Sequence, residues 1–183
     1  MMKDPLRRSL KQWCQNHMAD FNTQHAQSLA QSVWDMLRKK YPQPCCIGCY
    51  HPLKDEIDIR PLIKILREHD YAVALPAVIE PKRPLEFRIC SEDEPLERDA
   101  MGLLVPNLLA QMIVPDAIIV PMLGFNTQHY RLGRGGGYYD RTLEKWPDII
   151  SIGVAATGQQ TEFIPEPHDQ PLGYIVTEEG LLD

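Results

Sequence analysis

The chain has 183 residues, 44% of them apolar, enough for one domain with its own core and no need of disulfide staples. Nineteen Lys and Arg against 25 Asp and Glu leave a formal charge of −6, which speaks against a nucleic-acid partner, because non-specific binding there rests on neutralising phosphates. No run approaches the ~18 apolar residues of a membrane span, and the basic residues near the start have no apolar stretch behind them, so neither a membrane anchor nor a secretory leader is expected.

In chain order, residues 3–17 read as a helix, with Leu6, Leu10 and Trp13 on one face. A second helix is expected from Asn22 or Thr23 to just before Pro42, with Arg38, Lys39 and Lys40 at its negative end. Residues 45–50 read as a short buried strand. They contain Cys46-Ile47-Gly48-Cys49, formally a C-x-x-C. A zinc site needs about four ligands, and no second such pair exists, so these cysteines are read as small apolar residues. The chain's five cysteines, an odd number without a leader, read as reduced thiols of a cytoplasmic protein.

Residues 58–69 read as a helix with Pro61 in its first turn. Strands are expected at 71–75 and 85–90, and 91–112 reads as polar and irregular. The apolar run 117–121 is typical of a strand covered on both faces. A glycine-rich loop follows, then a helix over 138–145 and strands at 149–155 and 174–177. The alternation implies an α/β fold: a single domain, with a central, largely parallel sheet flanked by helices.

The chemistry concentrates at residues 131–141, Arg-Leu-Gly-Arg-Gly-Gly-Gly-Tyr-Tyr-Asp-Arg. Four of the eleven glycines lie here, with Arg131 and Arg134 interleaved and Arg141 following. The loop leaves the C-terminal end of an apolar strand, where open α/β sheets bind ligands. Glycines let backbone N–H groups approach an anion, a helix N-terminus adds a positive dipole end, and arginine forks match phosphate oxygens. That combination suits phosphate. It is neither a Walker A loop nor a dinucleotide fingerprint, since no Gly-Lys-Ser/Thr closes it and Tyr138 stands where a third glycine is required. Tyr138 and Tyr139 could stack on a planar heterocycle, and Asp140 could hold Mg²⁺ against phosphate.

Arg131-Leu132-Gly133-x-Gly135-x-Gly137-Tyr138-Tyr139-Asp140 resembles the signature of the 5-formyltetrahydrofolate cyclo-ligase family. Four further blocks are similar in the same order: Lys3 to Arg7; Glu56 to Ile63; Val120-Pro121 with Gly124-Phe125; and Pro165 to Leu172 with Val176-Thr177-Glu178. The resemblance implies a monomeric enzyme that uses ATP and Mg²⁺ to convert 5-formyltetrahydrofolate to 5,10-methenyltetrahydrofolate, with small molecules rather than nucleic acid or membrane as partners. It assigns Lys3, Arg7 and the Arg131, Leu132, Gly133, Arg134, Gly135, Gly136, Gly137, Tyr138 and Tyr139 loop to ATP. Arg134 and the backbone of Gly135, Gly136 and Gly137 would face the reacting groups. Asp140 and Asp169 would hold Mg²⁺, Glu56 would bind the pterin, and His51, Phe125, Tyr138 and Tyr139 would line the folate.

The chain departs from the family pattern at Asn126, where an acid is usual, at His129, near which a glycine is expected, at Gly136, where some members carry Lys, and at Ala156-Thr157. Three other classes compete: a folate or nucleotide binder without turnover, a thiol or metal protein built on Cys46 and Cys49, and a sugar-phosphate isomerase.

Overall fold

The computed structural model describes residues 3–99 and 102–182. Among these, one sheet has the strand order β12-β11-β10-β7-β1-β2-β3-β6. Its middle is parallel: β11 (Tyr174–Thr177), β10 (Ile150–Val154), β7 (Ala117–Val120), β1 (Cys46–Gly48) and β2 (Ala72–Ala77). Antiparallel strands β12 (Gly180–Leu181), β3 (Glu86–Ile89) and β6 (Met112–Ile113) border it.

All four residues of β7 are buried. Ala117 and Ile119 join one apolar cluster, Ile118 and Val120 the other. This is the two-residue period of a strand covered on both faces. On one face lie α1 (Lys3–Lys40) and α2 (Arg60–Glu68), supplying Leu29, Val33, Leu37, Leu62 and Leu66 to the first cluster. On the other, α3 (Tyr138–Lys145) supplies Leu143.

The strand order fixes where a site can form. From β1 the chain passes through α2 to β2 on one side, whereas from β7 it passes through α3 to β10 on the other. β1 and β7 are therefore the switch point, and the loops leaving their C-terminal ends open into one crevice. Those loops hold His51, Asp55 and Glu56 after β1, and residues 121–137 after β7.

Two expectations are corrected. The two N-terminal helices are one 38-residue helix, α1. The expected break lay between residue 17 and Asn22 or Thr23, where Asp20, Phe21, Asn22 and Thr23 are poor helix formers. There Thr23 bonds back to Ala19 O at 2.9 Å, and Asn22 is tied across to the β1 loop, its Nδ2 donating to Glu56 O and its Oδ1 accepting from Asp58 N, each at 2.9 Å. The tertiary contact outweighs the local preference. The second correction concerns 91–112, which contains a ladder of β4 (Glu97–Arg98) with β5 (Leu104–Val105) and ends in β6 on the sheet edge.

β2 runs through Pro76 to Ala77, two residues past the expected end at 75. That is possible because β1 pairs only as far as Ala74, so the missing N–H of Pro76 faces no ladder partner there. No helix among the described residues is long and apolar enough to cross a membrane.

Ahead of α2, Asp58 accepts from Arg60 N at 3.0 Å and pairs with its guanidinium at 2.6 and 2.8 Å. The Arg60 hydrogen bond holds the Asp58 carboxyl below the usual aspartate range, more than offsetting the effect of burial. A carboxyl depressed in the folded state stabilises the fold above its unfolded pKa of about 3.9, and that contribution disappears as pH falls through the folded value. Asp58→Asn should therefore flatten the decline of unfolding free energy below about pH 4. Denaturation at stepped pH checks it; an unchanged acid limb contradicts it.

Candidate active site

The glycine loop is pinned from three directions. The first turn of α1 brings Lys3 to Asp169, to which Lys3 Nζ donates a short hydrogen bond, and to Glu166 at 3.3 Å. One turn later, Arg7 Nε donates to Gly133 O at 3.1 Å. Arg131, only 3% exposed, ties the loop to the C-terminal block: Nη2 lies 2.9 Å from Asp140 Oδ1 and Nη1 donates to Gln170 O at 3.1 Å. Gln170 N donates to the same Asp140 oxygen at 3.1 Å. Arg134 reaches the β1 loop. Its Nη2 and Nη1 meet the two oxygens of Asp55 at 2.7 and 3.3 Å, and its Nε meets Glu56 Oε1 at 3.1 Å. The other Glu56 oxygen accepts from Leu53 N at 3.0 Å.

Charge follows from these contacts. Burial works against the Arg134 cation, but Asp55 and Glu56 outweigh it and raise its pKa further. Burial pulls the Arg131 pKa down despite Asp140; an arginine nonetheless stays charged at any ordinary pH. Burial, reinforced by Glu56, pushes the Tyr139 phenol up, so it is neutral. Tyr139 Oη is buried with no hydrogen-bond partner, and Arg131 lies 5.9 Å from the ring. Arg141 stacks over Tyr138 at 5.3 Å.

The local backbone explains the glycines. Gly135 (φ 95°) and Gly137 (φ 64°) occupy the left-handed region, and a Cβ on Gly136 would stand 2.7 Å from the Tyr138 ring. Gly137 opens α3 without a side-chain cap, so the first helical N–H groups have no side-chain acceptor.

Two departures from the family pattern have local reasons. Asn126, 1% exposed, accepts from Gln128 N and Tyr130 N at 3.1 and 3.0 Å through Oδ1, and its Nδ2 donates to Phe163 O at 3.4 Å. An aspartate could not make that last bond. His129 sits at φ 64°, the left-handed conformation glycine would adopt with less strain. A third, Thr157, takes its place by hydrogen bonding to Glu178.

The structure brings these expected residues together in separate contacts: Lys3 with Asp169, Arg7 with Gly133, Arg131 with Asp140 and the Tyr139 ring, and Arg134 with Glu56, while the ring of Tyr138 meets Arg141. Phe125 is fully enclosed in the α3-side cluster; its service to the site is to anchor β8 (Gly124–Phe125) against β9 (Arg131–Leu132). Leu132, 1% exposed, offers only its backbone. His51 is exposed on the β1 loop. Asp55 and Gln170 were not anticipated, and their only sequence signal is adjacency to Glu56 and Asp169.

The cysteines stand apart. Cys46 packs in one cluster and Cys49 in the other, so the C-x-x-C is split between the two faces. All five thiols are free, and burial pushes Cys14, Cys45 and Cys46 up to about 11.

For a divalent cation, the donor set is hard oxygen, which suits Mg²⁺. Asp140 and Asp169 each commit one oxygen to protein donors, Oδ1 and Oδ2 respectively. Glu166, His168 and Asp169 also present ligand atoms within 4.8 Å of one another.

This is an open α/β protein whose candidate site lies at the sheet's switch point, between an arginine-glycine loop and an acidic loop. A family model, the 5-formyltetrahydrofolate cyclo-ligase family, matches residues 1–178. A protein from Haemophilus influenzae named 5-formyltetrahydrofolate cyclo-ligase is 33% identical over 167 residues, 86% of this chain and 84% of that one. Its namesake from Escherichia coli K12 is 34% identical over 131 residues, 67% of this chain and 71% of that one. The solved structure of a 5,10-methenyltetrahydrofolate synthetase from Aquifex aeolicus superimposes with a TM-score of 0.77 at 26% identity, covering 99% of this chain and 92% of that one. The chain belongs to the 5-formyltetrahydrofolate cyclo-ligase family and is an enzyme of that class.

Proposed function

We propose that the chain converts 5-formyltetrahydrofolate to 5,10-methenyltetrahydrofolate at the expense of ATP, with Mg²⁺, releasing ADP and phosphate. The observation that carries this reading is the Arg134 side chain, which spans from the glycine loop to Asp55 and Glu56 at 2.7–3.3 Å. It joins a phosphate-type loop to a pterin-type carboxylate within one crevice.

In this scheme the N5-formyl oxygen attacks the γ-phosphorus and ADP departs. N10 then closes on the formyl carbon, losing its proton, and phosphate leaves as the ring forms. Phosphorylation turns a poor oxygen leaving group into a good one, so the protein's task is positioning and charge stabilisation.

Lys3 and Arg7 take ATP phosphates. Arg134 and the backbone N–H groups of Gly135, Gly136 and Gly137 face the γ-phosphate. Glu56 accepts from the pterin ring donors, Tyr138 and Tyr139 pack on the folate, and His51 lines its approach. Asp140 and Asp169 hold Mg²⁺, which supplies charge neutralisation of the phosphates when bound. No nucleophilic Ser or Cys is called for, in keeping with the protonated, buried thiols. The reading takes the enzyme as a monomer, and five free thiols suit a reducing cytoplasm.

Purified protein with ATP, Mg²⁺ and 5-formyltetrahydrofolate should generate the methenyl chromophore, and omitting ATP should abolish it. Folate binding without chromophore formation would overturn the proposal.

A further inference from the structure

Asp55 has no task in the scheme above. Asp140 and Asp169 are assigned to the cation and Glu56 to the pterin, whereas both oxygens of Asp55 are spent on Arg134, at 2.7 and 3.3 Å. Asp55 is 14% exposed and Glu56 10%, so each carboxylate is largely withdrawn from water and has reason to keep its partner. Arg134 is also the only residue between Gly133 and Gly137 that bears a side chain. Whatever fixes that guanidinium fixes the tip of a loop rich in the most flexible residue.

We infer that Asp55 is a positioning residue for Arg134, and that it competes with the terminal phosphate of the nucleotide for the same guanidinium. The inference rests on the proposed function. Of the five N–H donors on arginine, three are committed to Asp55 and Glu56. Two remain for a phosphate, and they are aimed by the grip on the other three. While Asp55 keeps its charge, one cation faces two carboxylates, and the phosphate must approach against that local excess of negative charge. The grip therefore weakens nucleotide binding and improves the geometry of transfer. A group that opposes ground-state binding while favouring the transition state raises kcat at the expense of KM.

The test is calorimetric titration of Mg-ATP and, separately, Mg-ADP into the wild type, Asp55→Asn, Asp55→Ser and Asp55→Glu, combined with steady-state kinetics. Both neutral variants should bind ATP about fivefold more tightly, the scale of a partly exposed charge pair, and ADP with less than about a twofold change. Their kcat should fall about tenfold while KM for ATP drops, a split that simple loss of folded protein does not produce. Asp55→Glu should return ATP affinity to the wild-type value and recover much of kcat. Neutral variants that bind ATP as the wild type does, or more weakly, overturn the inference; so does equal tightening for ADP, which marks a general field effect. Wild-type protein that binds no ATP removes the functional reading together with the inference, whereas normal wild-type turnover with indifferent Asp55 variants removes the inference alone.

Discussion

Arg134→Ala should lower kcat about a hundredfold with both substrates saturating, while Cys46→Ala stays within about twofold of the wild type. The size is that of removing one preorganised donor from a developing charge, about 3 kcal/mol. Two features argue against a smaller loss. Among the described residues the guanidinium is the only cation bridging the two loops, so no neighbour there can substitute. Its removal also leaves Asp55 and Glu56 adjacent and unpaired, turning a neutralised patch into one that repels phosphate. Stranding Asp55 and Glu56, 14% and 10% exposed, lowers stability as well, so kcat is measured well below the variant's melting temperature, where the protein is folded and the loss is kinetic. Cys46 is buried with a protonated thiol, so its truncation affects packing rather than chemistry. Equal losses in the two variants would contradict this account of the loop.

The second large effect is on stability. Arg131→Met should destabilise the fold by about 3 kcal/mol, the low end for breaking one partner of a buried ion pair. The low end applies because Asp140 is 19% exposed while Arg131 is 3% exposed, so water recovers part of the stranded carboxylate. Gln170 O loses its donor as well. Adding Asp140→Asn should restore part of the loss, since an uncharged amide can occupy the vacated contact without stranded charge. Urea denaturation of the wild type, the single variant and the double variant measures the cycle. Arg131→Met within about 1 kcal/mol of the wild type would show that the pair is not the brace described.

Local periodicity carried far in this chain. Helix α3 and strand β11 have the bounds that their patterns imply, because each is short and is opened by a glycine that punctuates the chain locally, Gly137 and Gly173. The glycine loop was legible for a related reason: φ values of 95° and 64° at Gly135 and Gly137 exclude most other residues, so the backbone writes itself into the composition. Continuity through Asn22 was not legible, because its reason lies in hydrogen bonds to residues 34 and 36 positions away. Nor was Asp55, whose partner is 79 positions downstream. Phe125 had the right neighbourhood and the wrong orientation: a phenylalanine beside a ligand loop looks the same in sequence whether it faces the ligand or, as here, the core.

The long helix α1 sets the spacing of the two loops that leave β1 and β7. Its first two turns hold the C-terminal block and the glycine loop through Lys3 and Arg7, and its midpoint holds the loop after β1 through Asn22. Both halves of the crevice are thus mounted on one rod, and their spacing is set by helical pitch instead of by loop length. The rod works as a ruler: the number of residues between Arg7 and Asn22 is fixed, since one insertion there turns the far grip by about 100° and takes the two halves out of phase.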